Sequence, residues 1–254
     1  MTTAVVSLSG GAASAVALER ALITYDTVVP LFADTLIEDV DLYRFLDDLA
    51  DHFSVDVVRI ADGRDIWEVF RDARFLGTSR VDPCSRILKR EIINNWIAEN
   101  HPESVRVYGF TPEEPERAER VAARAGWECA FPLLDPPILS NVQIRQHICD
   151  WGIELPRLYR LGFEHNNCGG GCIKAGQRQF RHLYLQLPDV FAEWERREQE
   201  MRDYLGRDIA ILRDRAGGET RPLTLAEFRG RVSQGVCDMF DGGAACDCMG
   251  ATND

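Results

Sequence analysis

Ala4-Val5-Val6-Ser7-Leu8-Ser9-Gly10-Gly11-Ala12-Ala13-Ser14-Ala15-Val16-Ala17 decides the fold of this chain. A short apolar, β-branched run meets two glycines and a turn of small residues, and an apolar helical stripe follows over Ser14–Tyr25. Strand, glycine turn and helix in that order make an anion site. The glycines let the backbone approach a phosphate, and the first N–H groups of the helix favour negative charge. Ser7, Ser9, Gly10, Gly11 and Ser14 are the candidate binding residues, with Ser9 and Ser14 expected to add hydroxyl donors. The loop lacks the Gly-Lys-Ser/Thr ending of a Walker A loop and the third glycine of a dinucleotide fingerprint.

Outward from that loop, strand and helix signals alternate. Val28–Ala33, Val55–Ile60, Val105–Phe110 and Cys129–Leu134 read as further buried strands. Asp39–Phe53 and Pro112–Gly126 carry helical spacing between them. The pattern predicts an α/β, doubly wound, mainly parallel five-stranded sheet with ligands at the carboxyl ends of its strands. After the Asp135-Pro136-Pro137 breaker the signals change to a helix over Asn141–Trp151, a loop at Pro156–Gly162 and a long charged helix over Pro188–Leu205. A small hairpin around Gly217-Gly218 and a Cys-containing tail from Cys237 complete a helical and hairpin extension. The expected division is a nucleotide-binding core over 1–135, a Cys/Gly-loop and helical part over 136–205, and the hairpin and tail over 206–254.

A formal net charge of −12 argues against broad phosphate-driven binding to nucleic acid. A local patch at Arg86, Lys89 and Arg90 keeps a nucleic-acid substrate open. No apolar run approaches the roughly 20 residues of a membrane span. With no signal-like segment at Met1–Gly11, the expected location is cytoplasmic and the eight cysteines are expected to be reduced. Cys129 and Cys149 read as ordinary core.

The second constellation is Asn166-Asn167-Cys168-Gly169-Gly170-Gly171-Cys172-Ile173-Lys174. Three glycines between two cysteines let the chain wrap so that both sulfurs face one centre. Cys84, in Asp82-Pro83-Cys84-Ser85-Arg86-Ile87-Leu88-Lys89, is the candidate third ligand. Among Arg74, Arg80, Arg86, Lys89 and Lys174, the pair Arg86 and Lys174 adjoins candidate ligands and is the first choice for holding a sulfate or phosphate. From the residues alone, the three cysteines fit an iron–sulfur centre, a zinc site completed by His165 or His147, or no metal.

Ser9-Gly10-Gly11-x-x-Ser14 resembles the pyrophosphate loop (PP-loop) of the adenine-nucleotide α-hydrolase superfamily, in its phosphoadenosine phosphosulfate (PAPS) reductase-like branch. Leu31-Phe32-Ala33-Asp34-Thr35 with Glu38 and Tyr43-Arg44-Phe45 is similar to that branch's second strand and following helix. Pro132-Leu133 and Leu158-Tyr159-Arg160-Leu161-Gly162-Phe163 resemble its later signature, so the likeness spans roughly residues 4–176. It implies an adenine nucleotide, ATP or PAPS or adenylylsulfate (APS), with the adenine at Phe32, Ala33 and Asp34. It places Gly109, Phe110 and Arg117 beside ribose and phosphates. ATP-cleaving members carry Lys-Asp where this chain has Ala12-Ala13, which removes a partner for the outer phosphates and a ligand for Mg2+.

The Cys84 segment resembles the Cys-Cys-x-x-Arg-Lys stretch of iron–sulfur APS reductases, with one cysteine in place of two, and the Cys168/Cys172 loop resembles their second pair. Three cysteines imply a 4Fe-4S cluster with one open iron, as in some sulfur-inserting members. Cys246-Asp247-Cys248 resembles the family's tail nucleophile in position, with Cys248 the candidate, although the Glu-Cys-Gly-Leu-His motif is missing and Asp241 and Asp247 would raise a thiol pKa; incidental tail cysteines are the alternative. The resemblance implies sulfur chemistry: adenylation-coupled sulfur transfer, or reduction of an adenylylated sulfate to sulfite. A non-catalytic nucleotide or redox sensor, or a partner in nucleic-acid modification, is the alternative. A sulfur donor or thioredoxin-like reductant is the implied partner, and a homodimer the implied assembly.

Overall fold

A computed structural model of the chain describes residues 1–78, 81–215 and 219–235. Its first half is β1 (Thr3–Ser7), α1 (Ala12–Thr24), β2 (Thr27–Asp34), α2 (Val40–Phe53), β3 (Val58–Ala61), α3 (Ile66–Asp72), the single turn α4 (Pro83–Ser85), a π-helix (Arg86–Glu91), α5 (Ile92–Asn100), β4 (Val105–Val107), α6 (Pro115–Arg124) and β5 (Cys129–Ala130). The five strands form one parallel sheet in the order β3-β2-β1-β4-β5. This is the doubly wound fold expected from the alternation. Its order reverses between β1 and β4, so a crevice opens where the loops after these two strands part to opposite faces.

The strand ends differ from the sequence reading for local reasons. β5 stops at Ala130 because Pro132 cannot donate to a ladder, and Pro132–Leu134 turns as a 3-10 helix. α1 begins two residues earlier than expected, directly after Gly11. α2 starts at Val40 because the Asp39 carboxylate accepts the Asp41 N–H as its cap.

The rest is mainly helical, with one hairpin: α7 (Asn141–Asp150), α8 (Arg157–Arg160), α9 (Gln177–Gln186), α10 (Pro188–Leu205), β6 (Leu212–Asp214), β7 (Arg221–Leu223) and α11 (Leu225–Ser233). β6 and β7 pair antiparallel, as the hairpin reading requires, although Ile209–Ile211 precede the ladder. The expected Gly217-Gly218 turn lies outside the described residues, as do Arg80 and the tail with Cys237, Cys246 and Cys248. Among the described residues, no helix is long and apolar enough to cross a membrane. Cys149 corrects its reading as core: it is exposed on α7, whose buried face carries Ile144 and Ile148, and Cys129 is only half-buried.

Two large apolar cores flank the crevice. One packs β1, α1, α2 and α7 through Val6, Val16, Leu42, Phe45 and Ile148. The other gathers Trp67 and Phe70 of α3, Leu88 of the π-helix, Leu158 of α8, Phe180, Trp194 and Phe228. Cys168 belongs to this second core, and Cys84 packs against it.

Candidate functional site

The β1–α1 loop is shaped by backbone demands. Gly10 has φ +77°, and a Cβ there would lie 2.7 Å from Leu42. Gly109, after β4, lies so close to α1 that a Cβ would meet the Ala13 and Ser14 backbone at 2.9 Å. Both glycines let β1, β4 and α1 converge at the switch point. A cleft of about 500 Å3 opens there, bordered by Ser9, Gly11, Gly109, Phe110, Arg117 and Tyr159. That volume suits a nucleotide-sized ligand.

Of the expected binding residues, Ser9, Gly11, Ser14, Gly109, Phe110 and Arg117 border this cleft. Ser7, buried in β1, does not, and Gly10 underlies the loop while the Asn166 amide nitrogen donates to its carbonyl at 2.8 Å. Phe32, Ala33 and Asp34 also stand outside the lining. Phe32 is buried edge-on to Tyr43, whose hydroxyl donates to the Asp34 carboxylate at 3.0 Å. The serine hydroxyls are not free donors. Ser9 Oγ donates to Ser14 Oγ at 3.1 Å, and Ser14 Oγ donates to the Gly11 carbonyl at 2.8 Å. Arg117 lies over the Phe110 ring at 4.6 Å and pairs with Glu114 at 2.5 Å.

Lys89 borders the same cleft although its residue is only 8% exposed. Its ammonium donates to Glu38 at 3.1 Å. Burial opposes the charge on Lys89, but Glu38 and the nearby Cys168 and Cys172 outweigh it and raise its pKa. Glu38 ties several elements together: Thr35 Oγ1 donates to it at 2.9 Å and the Cys168 amide at 2.6 Å. The cysteine loop is thereby fastened to the end of β2. Cys168 itself takes φ +49°, a left-handed conformation held at the foot of the glycine run.

The three cysteines gather behind Lys89. Cys168 hydrogen-bonds to Cys172, which lowers the Cys172 pKa and raises that of Cys168. Burial pushes the Cys84 thiol up to about 12, and the neighbouring Cys172 adds to the rise. Lys174, 5% exposed, sits 3.6 Å from Asp82, whose Oδ2 has no hydrogen-bond partner and lies 3.9 Å from Arg90. The π-helix turns Lys89 inward, where it is buried, and Cys84 stands on α4 just before it.

The same turn carries Arg86 outward, where its side chain is 54% exposed and paired with Glu91. Arg86 does not border the cleft. Arg74 stacks instead on Tyr204. Neither histidine joins the sulfurs. His147 bonds Glu19 at 2.7 Å on the α1 side, and His165 stands at the cleft among Glu164, Glu114, Arg117 and Arg145. Among the described residues, no three His, Cys, Asp or Glu are spaced to hold a metal ion.

The cleft also uses residues to which sequence reasoning gave no role: Tyr159, Arg145, Glu114 and Asn166. Tyr159 and Asn166 flank recognisable motifs, Leu158–Phe163 and the glycine loop, and that adjacency was their signal. Arg145 stands on an otherwise unremarkable polar helix face and had none.

Residues 3–169 match the family model described as the phosphoadenosine phosphosulfate reductase domain. Among solved structures, the chain is similar to phosphoadenylyl-sulfate (PAPS) reductase from Candida auris, in a phosphate complex. The identity is 15% and the TM-score 0.45, over 63% of this chain and 78% of that one. No curated protein matches. The family model runs from β1 through the switch-point cleft to the first cysteine of the glycine loop, and on that match the chain belongs to the phosphoadenosine phosphosulfate reductase domain family.

Proposed function

We propose that the switch-point cleft binds an adenine nucleotide and that sulfur chemistry takes place at the Cys84/Cys168/Cys172 centre beside it. The observation that carries this reading is Lys89, a buried cation that borders the cleft on one side and acts on Cys168 and Cys172 on the other. An anionic group on the nucleotide and a sulfur on the cysteines would meet at one ammonium. The start of α1 receives the phosphates, with Gly109 beside the ribose.

The donor set fits a thiolate-bound group: three thiols, a glycine loop between two of them, and the buried lysines 89 and 174 to offset negative charge. Cys84, Cys168 and Cys172 would hold a 4Fe-4S cluster and leave one iron open. When bound, such a cluster supplies a site that carries or reduces sulfur. Lys89 orients the anion toward it, and Glu38 holds both Lys89 and the Cys168 backbone in place.

Two reactions suit this arrangement. In sulfur transfer, the acceptor attacks the α-phosphorus of ATP, pyrophosphate leaves, and sulfur from a donor then displaces AMP. In reduction, a thiolate attacks the sulfur of an adenylylated sulfate and the nucleotide leaves. A second thiol, from the protein or a thioredoxin-like reductant, then releases sulfite as a disulfide forms. Three cluster cysteines favour transfer; Ala12-Ala13, which offer no charge to the outer phosphates, favour reduction.

Anaerobic incubation with ATP, APS and PAPS in turn, followed by assay of pyrophosphate, AMP and sulfite, separates the two. Absence of every product, with no nucleotide bound, would overturn both. Iron and labile sulfide should copurify anaerobically in equal amounts and be lost in Cys84→Ser. Colourless protein after reconstitution, or stoichiometric zinc, would remove the cluster from the proposal.

A further inference from the structure

The Tyr159 hydroxyl lies against the loop that decides the fold. Its oxygen accepts the Ala12 amide, the first N–H of α1, at 3.1 Å. At Gly11 an added Cβ would stand 3.3 Å from that oxygen. A phenol oxygen accepts at its lone pairs and donates one proton. With the Ala12 N–H held on its acceptor side, the hydroxyl proton is turned away from that amide, and the side chain borders the cleft. Ser9 and Ser14 cannot play this part, because their protons are directed into the loop. Arg145 lies over the Tyr159 ring at 4.6 Å and donates to the Glu164 carbonyl at 3.2 Å, which fixes the ring and keeps positive charge at the same corner.

We propose that Tyr159 is an anion-binding residue of the cleft, donating its hydroxyl proton to the 5′-phosphate of a bound adenine nucleotide. The hydroxyl relays into the cleft the donor capacity of the Ala12 amide that it covers. Ala12 and Ala13 have no side chain that reaches an anion, and a neutral donor arriving from residue 159 takes over that task. The inference rests on the nucleotide reading of the cleft.

Equilibrium binding of AMP and of adenosine to the full chain tests it, in the wild type and in Tyr159→Phe. AMP should weaken by about tenfold, the effect of losing one hydrogen bond to a charged group, while adenosine changes less than about twofold. Equal weakening of both ligands would overturn the proposal, since it would mean that Tyr159 only shapes the loop. Site-specific 3-fluorotyrosine at 159 keeps ring and hydroxyl but makes the phenol a stronger donor. AMP should then tighten relative to adenosine, and an unchanged ratio would overturn the proposal even if the phenylalanine variant fails to fold. Wild-type protein that binds adenosine but gains nothing from the phosphate also overturns it. Failure to bind either ligand would instead defeat the nucleotide reading itself, and the role of Tyr159 with it.

Discussion

Lys89 and Glu38 are each almost wholly buried, so the value of either depends on the other. A buried ion pair yields little net stability, but removing one partner strands a charge at a cost of roughly 3–5 kcal/mol. Lys89→Met should therefore lower the unfolding free energy by about 3 kcal/mol, and adding Glu38→Gln should restore part of it. Urea denaturation of the two single variants and the double variant checks this; strictly additive losses would show that the pair is not coupled. The site was legible where chemistry lies close in sequence: Cys168 and Cys172 announce themselves across three glycines. It was illegible where contacts are long-range. Ala12 and Tyr159 are 147 positions apart, and nothing local in either says that they meet. By sequence distance alone, Arg86 stands nearer Cys84 than Lys89 does. The π-helix reverses that order by turning Lys89 inward and Arg86 to solvent.

Among the elements, α10 is the one whose ends were readable, because Pro188 suits the first helical position and Gly206 takes the left-handed cap at φ +61°. α3 escaped notice although its Asp65/Glu68 capping box is intact, since seven residues are too few to establish a period. α10 also holds two carboxylates with opposite pH behaviour. The guanidinium of Arg196, with help from Arg197, holds Glu193 down to about 2. A carboxylate with a depressed folded pKa contributes its stability above the unfolded value, and loses it as pH falls through the folded one. Glu193→Gln should thus flatten the acid limb of the stability curve between about pH 4.5 and 2, by a small amount because the pair is exposed. Glu198 behaves in the reverse sense. Burial raises its pKa, so that contribution is present below its ordinary range and declines as pH rises through the folded value. Its carboxylate nevertheless accepts the Ile211 amide at 2.8 Å and the Leu225 amide at 2.7 Å, clipping both ends of the hairpin to α10. Glu198→Ala leaves two buried N–H groups without partners, a loss of about 2–5 kcal/mol. Hydrogen exchange should show Ile211 and Leu225 opening first, and unchanged protection there would contradict the clip.

For the whole molecule, the two cores divide the labour in an order that the chain does not follow. Every residue of the core around β1, α1, α2 and α7 falls between Ala4 and Tyr159. The core behind the cysteines joins α3 and the π-helix to segments as late as Phe228. The family match stops at residue 169, between Cys168 and Cys172, so the second cysteine and the wall behind it come from beyond the matched region. Trp194 forms that wall, standing so close to Gly171 that an added Cβ would lie 2.4 Å from its ring. Removing everything after Leu205 would uncover this half only. It takes away Leu212, Leu223, Leu225 and Phe228, each 3% exposed or less, at about 1.5–3 kcal/mol apiece. It also strips Glu198 of both amides. The truncated chain should keep the far-ultraviolet signature of the sheet and, on the nucleotide reading, its binding of AMP. Cys168 and Cys172, at 9% and 6% exposure in the intact fold, should become open to alkylation. Thiols that stay protected to the same extent would show that the cysteine centre is supported by the nucleotide half alone, and the extension would then be an appendage rather than half of the site.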